Sequence, residues 1–338
     1  SYIERFFNLM KKILLITGPA GDAQGWGDIN VTQSIKKAID DTGKCAQIAF
    51  VNNMDEFYSS LEKNTFDIAW SALYHISGKS ETIGMSEGDE KWVADIFDDK
   101  DIPYIGPDAK TMKNLIHKTT THKILKNKKI QVPYHYQLGS CDTLPDIVYP
   151  AFVKPSYESR SVGISDESVV ISPEELKKRI EYIETHFEQP ALVEEYLPGD
   201  EYTVLMLGNG VHQVFLPGKV VVDPSLFGKY PILRTDLRGV GVTKIKPVSQ
   251  QKEGLIELCS KAMEALNCLD HVRADMRLDA QGKMKIIEVN GIPGLKPVKS
   301  WSPQIFSLNY PSSDGPLEDY KKLIDHIVTS ALARYNIE

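Results

Sequence analysis

The chain is predicted to be an α/β protein: an open parallel sheet in its first third, then hairpin-rich α+β structure toward the C-terminus. Three observations predict this. Short apolar runs of strand length alternate with amphipathic stretches of helical spacing as far as Pro107. The final third alternates apolar and polar residues with period two on both sides of glycine-bearing turns. The length of 338 residues, with 42% hydrophobic and 25% charged, suits two or three domains with ordinary cores and excludes wholesale disorder or a fibre.

Taken in order, Ile3, Phe6, Phe7 and Leu9 form a short apolar patch broken by Glu4 and Arg5. Met10-Lys11-Lys12-Ile13 reads as a natural start, so residues 1–9 are expected to be an upstream extension and not an export signal. Ile13–Thr17 is a buried strand, Gly18–Asp28 a loop, and Val31–Asp41 a helix by the spacing of Val31, Ile35, Ala38 and Ile39. Ile48–Val51, Phe66–Leu73 and Ile102–Ile105 are further strands, and Ile76–Glu90 is a long loop rich in Ser, Gly and Glu. A basic helix is expected from Lys110 to Lys129, stopping before Val132-Pro133. The strand Tyr149–Lys154 leads into a serine-bearing loop, Ser156–Gly163. Ser172 as N-cap, Pro173 at the first position and Glu175 completing a capping box open a helix with an apolar stripe at Leu176, Ile180 and Ile183. Tyr202–Leu207 turns through Gly208-Asn209-Gly210 into Val211–Leu216, and a closing helix runs from Leu317 into Ala331. Domains are expected at 1–107, 108–193 and 194–338.

The balance of 39 basic against 46 acidic side chains gives no sign of a general nucleic-acid binder, which needs excess Lys and Arg. No stretch approaches the roughly 20 apolar residues of a membrane helix. Cys45, Cys141, Cys259 and Cys268 are scattered, so a disulfide framework is not expected and a reducing cytoplasm is the default. Two phosphate-loop signals fail. Gly78-Lys79-Ser80 ends like a Walker A sequence but has Leu73 where the leading glycine is needed, and Gly18, Gly21, Gly25 and Gly27 lack the dinucleotide spacing, so a flexible loop is expected there.

The most informative segment is Arg273–Asn290. If Asp279 and Met284 close a four-residue loop, Asp275 lies opposite Glu288 and Arg273 opposite Asn290. All four then share one face, with Ala274, Met276, Leu278, Ile287 and Val289 on the other. Directly opposed carboxylates repel, and a hard divalent cation carried by a nucleotide's phosphates turns that repulsion into binding. By itself the hairpin fits equally a solvated polar face on which Arg273 and Arg277 neutralise the acids. The following turn, Gly291-Ile292-Pro293-Gly294-Leu295, favours the cation, because its glycines can present backbone N–H groups beside the carboxylates, where Arg273 completes an oxyanion site. Lys154, ending the apolar strand Ala151–Lys154 beside a serine-rich loop, suits a polyphosphate. Spacing alone makes Lys118 a surface lysine. In Leu192–Gly199 the acidic pair Glu194-Glu195 either meets an adenine edge or faces solvent.

The motifs Phe152-Val153-Lys154-Pro155 with Ser161-Val162-Gly163-Ile164, Val193–Val204, and Ile287-Glu288-Val289-Asn290-Gly291-Ile292-Pro293-Gly294 together resemble the D-alanine–D-alanine ligases of the ATP-grasp superfamily. The likeness runs in order from about Ile13 to Ser300, dense from Lys118 onward. It implies an ATP-grasp fold preceded by the parallel-sheet domain, and small-molecule carboxylate and amine substrates without nucleic acid or membrane. It also implies ATP with two Mg²⁺ ions (Mn²⁺ as a substitute) and, in many members, a homodimer. By the same resemblance Lys118, Lys154 and Ser161 hold phosphates. Glu194 and the Glu195-Tyr196-Leu197 connector read adenine, and Glu201 the ribose. Asp275, Glu288 and Asn290 bind the metal, Arg273 and the Gly294 amide stabilise the oxyanion, and Lys229-Tyr230 sits on a flap, the lysine near the γ-phosphate and the tyrosine in the substrate pocket.

The chain departs from the family pattern at three places. Ser159-Arg160-Ser161-Val162-Gly163 carries Arg160 in place of a small hydroxyl, and a guanidinium can grip an extra carboxylate. Asp28 falls near the family's ammonium-holding Glu. Lys299, with Ser300 beside it, aligns without gaps on the serine for the second carboxylate. The expectation is a peptide-type ligase for other substrates. An ordinary D-alanine–D-alanine ligase, and from another class a small-molecule kinase or an ATP-binding module, are the readings against which it stands.

Overall fold

The computed structural model describes residues 2–76, 90–158, 161–237 and 241–338. Residues 77–89 of the expected long loop, with Gly78-Lys79-Ser80, and residues Ser159 and Arg160 lie outside the described residues. Helix α1 (Tyr2–Leu9) precedes the first strand with Ile3, Phe6 and Leu9 exposed. Then come β1 (Lys12–Thr17), α2 (Gly21–Gln24), α3 (Ile29–Asp41), β2 (Cys45–Phe50), α4 (Met54–Lys63) and β3 (Ile68–Ser71). A two-residue pair β4 (His75–Ile76) and β5 (Lys91–Trp92), α5 (Val93–Asp99) and β6 (Tyr104–Ile105) complete the first unit. Its sheet is parallel in the order β2-β1-β3-β6. Helices cover both faces, which is why β1 is a continuous apolar run. Ile13 and Leu15 join Ile35 and Ile39 of α3 in one core, while Leu14 and Ile16 join Phe57 and Phe97 in another.

The Gly18–Asp28 segment is not the flexible loop expected. α2 lies inside it, Trp26 is 1% exposed, and a Cβ on Gly25 would stand 1.9 Å from the Ala72 carbonyl oxygen. Only glycine allows the backbone to cross the end of β3 that closely.

The expected basic helix is two helices, α6 (Ala109–Ile116) and α7 (Lys118–Asn127), broken at an extended His117. The break restarts the helix at Lys118. The middle sheet is antiparallel, β7-β10-β8-β9, from β7 (His135–Leu138), β8 (Ala151–Pro155), β9 (Val169–Val170) and, after α8 (Pro173–Phe187), β10 (Ala191–Glu195). Ser172 caps α8 by accepting from the Glu175 amide, whose carboxylate accepts in turn from the Ile171 amide, one residue earlier than a capping box requires. Leu176, Ile180 and Ile183 pack on Val153 and Val193 as the stripe predicts.

The large sheet, β13-β12-β11-β14-β15, is antiparallel throughout. Its strands are β11 (Glu201–Leu207), β12 (Val214–Val222), β13 (Thr243–Lys246) and, after α9 (Lys252–Ala265), β14 (His271–Leu278) and β15 (Met284–Asn290). α10 (Trp301–Asn309) and α11 (Pro316–Arg334) end the chain. Val204, Met206, Ala274 and Met276 face α9, whereas Leu205 and Leu207 face Ile305, Phe306 and α11. β10 carries the middle sheet past residue 193 to Glu195, and α11 returns to the first sheet, its Leu323 and Ile327 sharing the core of Ile13 and Leu15. Lys44–Asp325 at 2.7 Å and the Arg334 guanidinium, donating to the Tyr104 carbonyl at 2.9 Å and to Asp270 at 2.7 Å, tie the ends together.

Candidate active site

The three sheets meet around a cavity of about 740 Å³. Its floor is the end of the large sheet that α10 leaves uncovered. Side chains alternate along a strand, so Thr203, Arg273 and Asp275 rise from the same face as Leu205. Asp275 pairs with Glu288, and Arg273 with Asn290, as the alternation predicts. The turn differs: Leu278 opposes Met284 around a five-residue loop, and a bulge between Asp275 and Met276 absorbs the offset. Met276 therefore faces Ile286, which joins the α9 core, and Ile287, expected in that core, turns to the cavity wall.

Each floor carboxylate has a cation. Arg273 grips Asp275 through Nε and Nη2 at 3.0 and 3.1 Å, Thr203 Oγ1 donates to the same carboxylate at 2.9 Å, and the guanidinium lies over the Trp301 ring. Arg277 reaches Glu201 at 3.3 Å, so the arginine-neutralised face was half right. Burial outweighs Arg277 and raises the Glu201 pKa. Glu288 resists burial: Lys118, Lys154 and Arg273 hold its carboxyl below the usual carboxylate range. Asn290 Oδ1 accepts from the Ile292 amide at 3.1 Å. Among the described residues no three His, Cys, Asp or Glu side chains converge to hold an ion unaided. Two carboxylates and an amide oxygen nevertheless fit Mg²⁺, which takes one or two carboxylates and fills its shell with water and phosphate.

Lys154 and Glu194 form the buried pair of the side wall, at 2.7 Å, with the lysine 9% and the glutamate 2% exposed. Burial opposes the Lys154 charge, but Glu194 and Glu288 outweigh it and raise its pKa. Glu194 is thus not solvent-facing: Oε1 meets Lys154, while the residue lines the cavity. Glu195 bonds Lys285 at 2.6 Å, and its amide donates to the Tyr134 carbonyl at 3.0 Å. Tyr196 and Leu197 continue this wall. Lys118 is no surface lysine. It opens α7, lines the cavity and donates to the Glu158 carbonyl at 2.7 Å, and burial lowers its pKa.

The roof comes from two loops tied together. Ser161 lines the cavity in a left-handed conformation (φ 65°), its carbonyl accepting from Thr235 Oγ1, while the Thr235 amide donates to the Ile164 carbonyl at 2.9 Å. Neither Lys229 nor Tyr230 lines the cavity: the ammonium lies over the Tyr230 ring, and that ring is 5.8 Å from Tyr196, which does line it. The Lys229 amide donates to Asp166 at 3.1 Å.

At the far end Asp28 caps α3, Oδ1 accepting from the amides of Asn30 and Val31 at 3.0 and 3.2 Å. The residue expected to hold a substrate ammonium thus caps a helix through Oδ1 and also lines the cavity. Ser300 Oγ accepts from the Lys296 amide at 2.9 Å and lies close to Gly294, while Lys299 lines the cavity from an exposed position.

The sequence reading missed His122, Thr203, Trp301 and Tyr74. His122 follows Lys118 by four residues on α7, a spacing that marks one helix face. Its Nε2–H donates to the Ile287 carbonyl, 2.9 Å away, and burial lowers its pKa. Thr203 and Trp301 gain meaning only from strand pairing and chain reversal, which no local pattern carries.

Fold and site together define an ATP-grasp carboxylate–amine ligase. The family profile described as "D-ala D-ala ligase C-terminus" matches residues 127–329. A D-alanine–D-alanine ligase of Carboxydothermus hydrogenoformans is 28% identical over 247 residues, covering 70% of this chain and 74% of that one. In fold, the chain is similar to the Bacillus anthracis D-alanine–D-alanine ligase complexed with ATP (TM-score 0.70, 19% identity, 96% and 99% of the two chains). It is also similar to the VanG D-Ala:D-Ser ligase of Enterococcus faecalis (TM-score 0.66, 19% identity, 95% and 99%). The chain belongs to the D-alanine–D-alanine ligase family, and it is an ATP-dependent, ADP-forming enzyme.

Proposed function

We propose that the chain uses ATP to activate the carboxylate of an amino acid or another carboxylated small molecule and joins it to an amine or amino acid, the pair being other than two D-alanines. One observation carries the chemistry: the Asp275–Glu288 register places both carboxylates on the cavity face, across from Lys118 and Lys154. Lys118, Lys154 and the Ser161 loop hold the phosphates, and the Glu194–Leu197 wall with Glu201 holds the nucleoside. Asp275, Glu288 and Asn290 are the residues that hold Mg²⁺, which supplies charge neutralisation at the transferring phosphoryl group. The substrate carboxylate takes the γ-phosphoryl group, and the amine then displaces phosphate from the acyl phosphate. Arg273 spends two of its five N–H donors on Asp275, leaving others for the tetrahedral oxyanion beside the Gly294 amide. Lys229 and Tyr230 close over the cavity to exclude water, which otherwise hydrolyses the acyl phosphate.

The substrate end supports partners other than two D-alanines. Asp28 is committed to its helix, the Ser300 hydroxyl to its own turn, and a lysine replaces the expected serine beside it. Arg160, outside the described residues, adds a cation to the phosphate loop. The neighbouring VanG fold, described as a D-Ala:D-Ser ligase, takes a second substrate other than D-alanine on the same scaffold. The test is ADP release with Mg-ATP against single amino acids and pairs, with product masses determined. A ligated mass from a pair containing another amino acid supports the proposal, and exclusive D-alanine dimerisation refutes it. ADP formed without an amine requirement, and with no ligated mass from any pair, favours a kinase.

A further inference from the structure

The turn that follows the metal-binding strand is held by a residue from the other end of the chain. Tyr74, 6% exposed, follows β3 of the first sheet. Its hydroxyl accepts from the amides of Gly291 and Ile292 at 3.1 and 3.0 Å and donates to Asn290 Oδ1 at 3.4 Å. A tyrosine hydroxyl has one proton to give and two lone pairs. All three are used on three consecutive residues of one turn. The Tyr74 backbone is fixed as well, its amide donating to Gln24 Oε1 at 2.9 Å.

The turn leaves no room for a substitute. A Cβ on Gly291 would meet Met112 Sδ at 2.8 Å and the Tyr74 hydroxyl at 3.2 Å. Pro293 restricts the backbone between the anchored Ile292 and Gly294. Fixing the Ile292 amide therefore sets where the Gly294 amide points, and the contact with Oδ1 sets how Asn290 presents its oxygen. Tyr74 and Asn290 both line the cavity.

We propose that Tyr74 is a positioning residue: its hydroxyl holds the Asn290–Gly294 turn in register with the floor of the site. The catalytic consequence rests on the ligase reading above, but the anchor does not. It links the parallel-sheet domain, which flanks the substrate end, to the oxyanion donor on the large sheet.

The experiment combines Tyr74→Phe, which keeps the ring, with amide hydrogen exchange on the free protein, which needs no substrate. The wild type should show slow exchange at Gly291 and Ile292, and the variant at least about ten-fold faster exchange at Gly291, with a smaller change at Ile292, whose amide also donates to Asn290 Oδ1. In ADP release, kcat should fall about 10–10²-fold while KM for ATP rises by a smaller factor, because Asn290 is displaced but Lys118, Lys154 and the Glu194–Leu197 wall are untouched. Unprotected Gly291 and Ile292 amides in the wild type overturn the proposal, and that measurement stands even if the variant fails to fold. A folded Tyr74→Phe enzyme with unchanged kcat overturns it too. Protected amides that are lost in the variant, in a protein that ligates no pair of substrates, sustain the anchor and refute the ligase reading instead.

Discussion

The two ends of the cavity are built on different principles. At the end proposed for the nucleotide most polar groups sit on strands in buried or half-buried ion pairs, Lys154 with Glu194, Arg273 with Asp275 and Arg277 with Glu201, with Lys118 at a helix start and Ser161 on a loop as exceptions. At the substrate end they sit on loops and helix starts, and their hydrogen bonds serve the loops themselves, as with Asp28 and Ser300. Register on strands is costly to change, since one residue of slip turns every side chain to the other face. Loops can be rewritten locally. The difference teaches that phosphoryl transfer is the constrained part of this enzyme and substrate choice the adjustable part.

Substitutions can break that contrast. The largest effect is expected at Glu194→Ala, which leaves Lys154 buried without its partner. Stability should drop by about 3–5 kcal/mol in urea denaturation, and a loss under 1 kcal/mol would mean the pair is solvated. Glu288→Gln should keep the fold by circular dichroism and lower ADP release by about 10²–10³-fold, the usual cost of removing one transition-state stabiliser. Unchanged turnover would remove Glu288 from the metal site.

Effects at the substrate end are expected to be smaller. Asp28→Ala should cost about 1 kcal/mol through the lost cap, whereas Asp28→Ser, which can cap, should restore stability and leave the rate within a few-fold. A serine variant that is stable but inactive would make Asp28 a substrate ligand. The smallest effect is a pH dependence. Burial lowers the Lys118 pKa, so in the free enzyme this lysine loses its proton at lower pH than an ordinary lysine. ATP affinity should therefore weaken earlier on the alkaline side, with proton uptake on binding, and Lys118→Arg should abolish that limb in calorimetric titrations.

The same contrast explains what could be read from sequence. Period-two alternation placed Asp275, Glu288, Arg273 and Asn290 on one face because strand geometry leaves few alternatives, and only the bulge at Asp275 moved Ile287 from the core to the cavity. The α8 stripe and its Ser172 cap were equally local and equally legible. Asp28 is ambiguous in sequence because an acidic residue at a helix start looks alike whether it caps or binds; the structure adds the cap and keeps the residue in the cavity lining. The break at His117 carries no proline or glycine, so the basic helix seemed continuous. Tyr74, 217 residues from Gly291, has no local signature at all. The packing of α11 on the first sheet is similarly invisible, since an amphipathic helix does not declare its partner.

The most direct test is a crystal structure with Mg²⁺ and a non-hydrolysable ATP analogue. The account predicts an ion ligated by both the Asp275 and Glu288 carboxylates, with the phosphates against Lys118 and Lys154. Nucleotide bound elsewhere, or bound in this cavity with those carboxylates turned apart and no ion between them, would contradict it.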